Sequence, residues 1–195
     1  MKSDVVKAKL IQSFAVAGIS ASAAFFALNV TLPSEGLSEK VYLDPVSLPT
    51  VCVGHMDKSL AVGQTFTLDQ CMSLFAEDWK KHQDQLKSLV KVKYKSEWEQ
   101  AALVDFTFNV GISKVESSTL LKLLNEGRHE EACAQLTRWV YANGKKLNGL
   151  VTRRNLEKQY CLGQIPWDKQ KAFANFKKEY ENEVAQELET DSKKL

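Results

Sequence analysis

Residues 33–55 read PSEGLSEKVYLDPVSLPTVCVGH, and this stretch decides the fold. Val41, Tyr42 and Val51 favour strands, and the prolines between them are typical of turns. The pattern predicts a small β-hairpin or a three-stranded sheet over residues 41–55.

Helical patterns follow this sheet to the end of the chain. Thr67 with Gln70, and Ser96 with Glu99, form two capping boxes, each of which predicts the start of a helix. Further helices are predicted over residues 117–127, 129–141 and 150–163 and beyond Pro166. The order of elements therefore predicts an α+β fold, with a small sheet-bearing lobe followed by a mainly helical C-terminal lobe.

The N-terminal part of the chain has the length of a membrane segment. Residues 10–34 carry no charged side chain. A helix over residues 10–30 would be roughly 30 Å long, enough to cross the hydrocarbon core of a bilayer. Because Lys2, Lys7 and Lys9 precede it, the N-terminus is expected in the cytoplasm and the rest of the chain outside. The sequence thus predicts an N-terminal transmembrane-type helix.

Three interpretations of this segment stay open. The Ala21-Ser22-Ala23 sequence fits a cleaved signal peptide, whereas the length alone fits a fixed anchor. Residues 10–30 include six alanines and three serines, which gain little from hydrocarbon. This bias towards small residues favours a reversible anchor that later leaves the bilayer.

The charge distribution argues against nucleic acid as a partner. Three of the 26 Lys and Arg residues and one of the 24 Asp and Glu residues lie in the first nine positions, so the remainder of the chain is balanced. Nucleic-acid binding needs a basic surface that displaces counterions. We therefore expect no nucleic-acid partner.

The cysteines point to disulfides rather than to a metal. Cys52, Cys71, Cys133 and Cys161 all follow the N-terminal segment. An even number of cysteines in an exported protein predicts up to two disulfides. Their spacings match no zinc-binding pattern, so no metal site is expected.

Glu35, Asp44 and Thr50 are the candidate catalytic residues. Glu35 precedes the predicted hairpin, Asp44 lies at its first turn and Thr50 lies on the returning strand. Cleavage of a glycosidic bond needs one carboxyl that protonates the leaving oxygen and one carboxylate that activates water. Taken alone, the spacing also fits solvated loop carboxylates.

The surrounding motifs are more specific than this spacing. In chain order they are Glu35-Gly36, Tyr42-x-Asp44-Pro45, Pro49-Thr50-Val51-Cys52-x-Gly54-His55, Phe108-Asn109-Val110-Gly111, Ser117-Ser118-Thr119-Leu120-Leu121, Ala132-Cys133, Arg138-Trp139-Val140-Tyr141-Ala142, Gly149-Leu150, Thr152-Arg153-Arg154 and Cys161-Leu162. Over residues 33–163 the chain thereby resembles the phage lysozyme family, glycoside hydrolase family 24, and especially the endolysins of lambdoid phages.

The resemblance implies a role for each candidate residue. Glu35 would be the general acid, Asp44 would position or deprotonate the attacking water, and Thr50 would help to hold that water. Phe108 and Asn109 match a helix start that lines the substrate cleft. For Phe108 a purely structural role in the core stays open.

Four basic residues within the matching motifs favour a structural role. Arg138, Arg153 and Arg154 are expected to order the helical lobe, with contacts to glycan and peptide as the alternative. His55 lies at a strand end and is likewise expected to be structural rather than catalytic.

The function implied by the resemblance is that of a muramidase. Such an enzyme hydrolyses the β-1,4 bond between N-acetylmuramic acid and N-acetylglucosamine in peptidoglycan, and thereby lyses the host. No metal or organic cofactor is implied. Two alternatives stay open, a lytic transglycosylase and a tethered wall-binding protein without catalysis.

The N-terminal segment looks like the signal-arrest-release segment of such endolysins. The chain would pass through the host secretion machinery and stay inactive in the inner membrane, held by residues 10–30, until it is released into the periplasm as a monomer. The implied domains are the anchor segment (1–30), a lysozyme-like domain (31–163, with lobes 31–95 and 96–163) and a C-terminal extension (164–195).

Three further expectations follow from the same resemblance. We would pair Cys52 with Cys71 in the first lobe and Cys133 with Cys161 in the second, as a hypothesis. Family members usually have a glycine where Ser47 stands, so a different turn conformation is expected there. The extension has an apolar stripe that is expected to pack on the helical lobe, with wall or partner binding as the alternative.

Overall fold

The stretch that follows Glu35 folds into a three-stranded antiparallel sheet. The structure is a computed structural model, and it describes residues 2–192. The strands are β1 (Ser38–Leu43), β2 (Pro49–Cys52) and β3 (His55–Met56), and they lie side by side in that order. The predicted small sheet is therefore present.

Helices make up most of the remaining described chain. They are α1 (Lys2–Val16), α2 (Ala21–Phe26), α3 (Leu32–Glu35), α4 (Leu68–Leu89), α5 (Glu97–Val110), α6 (Ile112–Glu116), α7 (Thr119–Asn125), α8 (His129–Gln135), α9 (Asn148–Cys161) and α10 (Trp167–Ser192). A second, two-stranded ribbon pairs β4 (Tyr141–Ala142) with β5 (Lys145–Lys146). Small sheets with mainly helical content confirm the predicted α+β class.

Both predicted capping residues begin a helix, in slightly different ways. At α4 the exchange is reciprocal, because Thr67 Oγ1 accepts from the Gln70 amide at 3.2 Å and Gln70 Oε1 accepts from the Thr67 amide at 2.8 Å. At α5 the Ser96 hydroxyl accepts from the Glu99 amide at 3.0 Å. The Glu99 carboxylate accepts instead from the Lys95 amide, at 2.6 Å.

The N-terminal segment is not one continuous helix. Helix α1 ends at Val16, and the chain turns through Gly18, whose φ of 65° lies in the left-handed region. Ser20 then caps α2, which continues through a π-helical turn (Ala27–Thr31) into α3. Among residues 2–192, no helix has the length and apolar character needed to cross a membrane. In the folded chain, residues 10–30 thus lie in α1, the turn through Gly18, α2 and the π-helical turn instead of in the one continuous helix that the sequence predicts.

The apolar side chains of that segment are buried within the protein instead. Leu10 and Phe14 have no exposed surface. The Phe14 ring lies 5.3 Å from the ring of Phe75 and 5.9 Å from that of Trp79, both on α4. Such edge-on and tilted aromatic contacts add specific attraction to the burial itself.

The described chain divides into two compact units. The first contains residues 2–80 and 174–192, and the second contains residues 81–173. A disulfide between Cys52 and Cys71 ties β2 to α4 in the first unit. A second disulfide, between Cys133 and Cys161, ties α8 to α9 in the second unit. This is the pairing that the sequence hypothesis names.

The apolar stripe of the C-terminal extension, which runs from Phe173 to Leu188, packs only in part as expected. Phe173 does contact the helical lobe, since its ring lies 4.6 Å from that of Trp98 in the second unit. Phe176 instead contacts α2, and Tyr180 contacts the turn before α2. Leu188, the last apolar residue of the stripe, is 67% exposed.

Candidate active site

Glu35 is the last residue of the helix that continues from the N-terminal segment. Helix α3 ends there because Gly36 takes a φ of 78°, while its amide donates to the Leu32 carbonyl at 2.9 Å. Beyond Gly36 the chain leaves the helix and enters β1. The Glu35 side chain is half-buried, so the turn presents a carboxyl group at the edge of the sheet.

The Glu35 carboxyl lies against the turn between β2 and β3. A Cβ atom placed on Gly54 would lie 3.4 Å from Glu35 Oε2, which is ordinary van der Waals contact. Gly54 itself has a φ of 73°, a conformation that strains any other residue. The turn therefore requires glycine at this position, and the Glu35 carboxyl lies directly against it.

Asp44 organises the loop between β1 and β2 around its own side chain. Its Oδ1 accepts from the amides of Val46 at 2.9 Å and Leu48 at 2.7 Å. Its backbone amide donates to the Leu48 carbonyl at 3.0 Å, and its carbonyl accepts from Ser47 at 2.9 Å. An aspartate that bonds its own loop in this way fixes the loop locally.

The loop conformation at Ser47 differs from the expectation. Ser47 has a φ of 61°, the left-handed conformation that glycine adopts without strain. The serine thus takes up a glycine-like conformation, and the expected change of turn conformation is wrong. The hydrogen bonds of Asp44 hold the strained residue in place.

Thr50 is tied to the same loop from the returning strand. It lies on β2 opposite Tyr42 of β1 and is only 4% exposed. Its Oγ1 donates to the Leu48 carbonyl at 3.1 Å. The Leu48 backbone is therefore bonded to both Asp44 and Thr50, which brings these two predicted site residues together.

Phe108 and Asn109 lie in the second unit, near the end of α5 and not at a helix start. Ser96 begins this helix and Gly111, with a φ of 84°, ends it, which corrects the position that the resemblance implied. The Phe108 ring lies 5.1 Å from the ring of His82. Asn109 accepts a hydrogen bond from Arg154 through its Oδ1. Both residues are half-buried.

Arg153 and Arg154 are buried and paired. Arg153 binds the Asp105 carboxylate through Nε at 3.0 Å and Nη2 at 2.8 Å. Arg154 donates to Glu157, to Asn109 and to the Trp139 carbonyl, and it lies over the Phe106 ring at 4.9 Å. Burial and the neighbouring Asp105 carboxylate raise the pKa of Glu157 above its ordinary value. These contacts fit the structural role expected for both arginines.

His55 and Arg138 each make one side-chain hydrogen bond. His55 makes a hydrogen bond through Nδ1 to Asp78 Oδ2 at 2.8 Å, so it links β3 to α4. Arg138 is exposed and donates to Gln135 Oε1 at 2.9 Å. Asp78 and Asp105 carry no local sequence signal, because they pair with residues 23 and 48 positions away. Glu157 does carry one, since it follows Arg153 and Arg154 by four and three residues on α9, a spacing that favours ion pairs.

One group of potential metal ligands occurs among residues 2–192. Glu99, Cys133 and Cys161 lie within 4.8 Å of one another. The two sulfurs are joined in a disulfide, and Glu99 Oε1 is bonded to His129 at 2.7 Å. Because metal binding to cysteine requires thiolates, this group does not fit a metal site.

Comparisons with known proteins find relatives of this chain. Residues 33–157 match the family model described as phage lysozyme. The chain is 40% identical over 136 residues to the SAR-endolysin of Bacteriophage PS119, covering 70% of this chain and 78% of that protein. It is 36% identical over 158 residues to the SAR-endolysin of Bacteriophage PS34, covering 78% and 94%.

Solved structures of the same kind are similar in fold. The crystal structure of a variant of P22 lysozyme has a TM-score of 0.61 at 30% identity and covers 73% of this chain and 96% of its own. The muramidase domain of SpmX from Asticaccaulis excentricus has a TM-score of 0.63 at 27% identity, with coverages of 75% and 96%.

Proposed function

The chain belongs to the phage lysozyme family, and from that premise we propose that Glu35, Asp44 and Thr50 carry out its glycosidic cleavage. As an endolysin of this family the chain is a muramidase that acts on peptidoglycan and causes lysis. The observation that supports Asp44 and Thr50 best is their shared bonding to the Leu48 backbone. It fixes the Asp44 carboxylate and the Thr50 hydroxyl on one loop.

In the proposed reaction each residue has one task. Glu35 protonates the leaving glycosidic oxygen as the bond to the sugar carbon breaks. Asp44 accepts a proton from the attacking water, with Thr50 helping to position that water. Since Oδ1 of Asp44 holds the loop amides, we assign the proton-accepting role to Oδ2. Phe108 and Asn109 of the second unit are proposed to contact the glycan.

Analysis of the products tests this assignment directly. The full-length chain is incubated with purified peptidoglycan, and the soluble fragments are measured by mass spectrometry. Ordinary reducing N-acetylmuramic acid ends are expected, because water is consumed. Fragments lighter by one water, with anhydro ends, would mean a transglycosylase and would remove the role given to Asp44. The Glu35→Gln chain should release almost nothing, whereas the exposed neighbour Glu39→Gln should behave like the parent.

We further propose that the chain is first tethered to the host inner membrane by residues 10–30 and is then released into the periplasm. The names of the similar SAR-endolysins support this proposal, as do the uncharged segment and the lysines before it. Export through the host secretion machinery and a monomeric released form belong to the same proposal.

The folded chain and a tethered chain would be mutually exclusive. Leu10 and Phe14 cannot lie in lipid and also be buried in the protein, where Phe14 packs against α4. Helical structure continues from α2 to Glu35 without a break, so a segment held in the bilayer would also hold Glu35 within about 8 Å of its end. Tethering would therefore keep Glu35 from its place beside Gly54 and leave the enzyme inactive.

A further inference from the structure

Helix α10 has no counterpart in the matched family region. It covers Trp167–Ser192, whereas the family match ends at residue 157. Most of its surface is exposed and charged, but Phe176 and Tyr180, four residues apart, are 2% and 4% exposed. Residues at this spacing lie on one face of a helix. This face of the extension therefore packs against another part of the protein.

Phe176 covers the N-terminal helices. Its ring meets the ring of Phe25 on α2 in an edge-on contact, with the centroids 5.3 Å apart. The Nζ of Lys7 on α1 lies 5.8 Å from the centroid of the same ring, within reach of a cation–π attraction. One side chain of α10 thus contacts both helices of the N-terminal segment.

Tyr180 binds the turn between those two helices. Its hydroxyl donates to the carbonyl of Ile19, which lies 161 residues earlier in the chain. Ile19 lies between the end of α1 and the start of α2, so its carbonyl is at the break between the two helices. A buried carbonyl without a donor costs free energy, and the phenol removes that cost. Burial also raises the pKa of Tyr180, which keeps the hydroxyl a donor.

An ion pair adds a third link. The Lys7 ammonium lies 2.6 Å from Glu179 Oε2, and both side chains are partly exposed. An exposed pair of this kind contributes little stability by itself. The pair lies beside the cation–π contact between Lys7 and Phe176. The three contacts bind residues 7, 19 and 25, which lie in or next to the proposed anchor.

We propose that α10 is the docking site for the N-terminal segment once that segment has left the bilayer, and that it holds the released enzyme in the released state. The inference rests on the proposed reversible tethering. Ile19 and Phe25 would be in lipid in the tethered chain, so their contacts with Tyr180 and Phe176 exist in the released state alone. A contact made in one of two states shifts the equilibrium towards that state.

Substitutions in α10 can be distinguished from substitutions in the N-terminal segment by their effect on the membrane. A substitution within residues 10–30 would change both the affinity for lipid and the packing in the protein. Phe176 and Tyr180 lie outside the segment, so replacing them leaves the membrane-inserting residues intact. Any change in release then reports on the docked state.

The test follows the chain in a Gram-negative host before and after the membrane is depolarised with an uncoupler. All chains carry Glu35→Gln, so that the host does not lyse during fractionation. Membranes are isolated by flotation, which leaves aggregates behind, and the ratio of membrane-bound to soluble chain is measured. The variants are Phe176→Ala and Tyr180→Phe, with Leu188→Ala on the exposed end of the same helix as the control.

We expect Phe176→Ala to raise the ratio after depolarisation by at least about tenfold, because a buried aromatic contact is lost. Tyr180→Phe, which keeps the ring and removes one hydrogen bond, should raise it about two- to tenfold. Leu188→Ala should release like its Glu35→Gln parent. If Tyr180→Phe and Phe176→Ala also release like the parent, the docking role of α10 is wrong while the reversible tether stands.

Two other outcomes are equally decisive. A parent chain that never floats with the membranes would overturn the reversible tether and the docking role with it. If Phe176→Ala fails to fold, Tyr180→Phe decides alone. Hydrogen exchange on the released chains adds an independent reading. Amides 19–25 should lose protection in both variants, whereas amides of α5 in the second unit should not, and unchanged protection at 19–25 would contradict the proposal.

Discussion

The carboxyl of Glu35 lies against the backbone of Gly54, where a Cβ would sit 3.4 Å from Oε2. The candidate acid is thus supported by a turn that depends on a left-handed residue. Any change that alters this turn reaches the carboxyl directly. The turn also leads into His55, which is bonded to Asp78 of α4.

We predict that Gly54→Ala costs about 1–2 kcal/mol of unfolding free energy, since alanine is strained at a φ of 73°. The rate on peptidoglycan should fall as well, because the turn shifts beneath Glu35. Thermal unfolding and a turbidity assay measure the two effects. Gly149→Ala in α9, with nothing within 4 Å of its Cβ, is the matched control and should not lose stability. Equal stabilities of the two variants would contradict the role of Gly54.

Substitutions at Asp44 should separate the loop from the chemistry. Asp44→Asn keeps an oxygen that can accept from the Val46 and Leu48 amides, so the unfolding temperature should change little. The rate should nevertheless fall about 10²–10⁴-fold, because the proton acceptor is lost. Asp44→Ala should lose both the rate and about 1–3 kcal/mol of stability. An active Asp44→Asn enzyme would exclude Asp44 as the base.

Phe14 tests whether the N-terminal segment is a core element. It is fully buried against Phe75 and Trp79, so Phe14→Ala should cost about 3–5 kcal/mol in the released chain. Val16→Ala, two residues along the same helix at a side chain that is 66% exposed, should cost almost nothing. Urea unfolding of both chains measures the difference, and similar midpoints would mean that α1 does not pack as described.

The bidentate pair between Arg153 and Asp105 should be costly to break. Asp105→Ala removes the bidentate partner of a buried guanidinium, which keeps only the Glu157 carboxyl at 3.4 Å from Nε, and we expect a loss of about 3–5 kcal/mol. Glu131→Gln removes one partner of the exposed Arg128 pair and should leave the unfolding midpoint unchanged. The comparison needs only chemical denaturation of both chains. A mild effect at Asp105 would mean that Glu157 alone is a sufficient partner for Arg153.

Alkaline pH should weaken the fold through Tyr160. Burial raises the pKa of Tyr160 from 10.0 to about 12. Between these values the folded chain retains a proton that the unfolded chain has lost, so stability falls as the pH rises through that range. The contribution is complete below pH 10. Unfolding of the parent and of Tyr160→Phe across pH 10 to 12 measures it, and the difference between the two chains should change with pH. A constant difference would contradict the assignment.

The sheet could be predicted from the sequence because its signals are local, whereas the candidate site residues rest on the resemblance of the surrounding motifs to a family. Turn residues and β-branched residues delimit the strands, and the pairing of Tyr42 with Thr50 follows from the length of the turn. The capping residues Thr67 and Ser96 likewise act on amides three residues away. Local hydrogen bonding therefore places Asp44 and Thr50 together.

The sequence prediction differs from the structure where apolar residues can be buried in more than one environment. A run of apolar residues without charge fits lipid and a protein core equally well, so residues 10–30 were predicted as one membrane helix. The break was visible in Gly18 and the capping residue Ser20. The sequence analysis also does not predict the ribbon of β4 and β5. An Asn-Gly pair favours the left-handed φ angles of a hairpin turn, and Asn143 and Gly144 adopt such angles. The Arg154–Asn109 contact spans 45 residues, beyond any local pattern.

Two buried alanines of the N-terminal segment face opposite demands. Ala24 in α2 and Ala27 in the π-helical turn have no exposed surface, so a larger side chain there would overpack the folded protein. Under the proposed tethering, a polar side chain at these positions would be rejected by the lipid, while a bulkier apolar one would be accepted by the lipid and rejected by the protein. Under that proposal, only apolar side chains close in size to alanine suit both states. Adding a single methyl group at either position would shift the equilibrium between the tethered and the released chain, and with it the time of lysis.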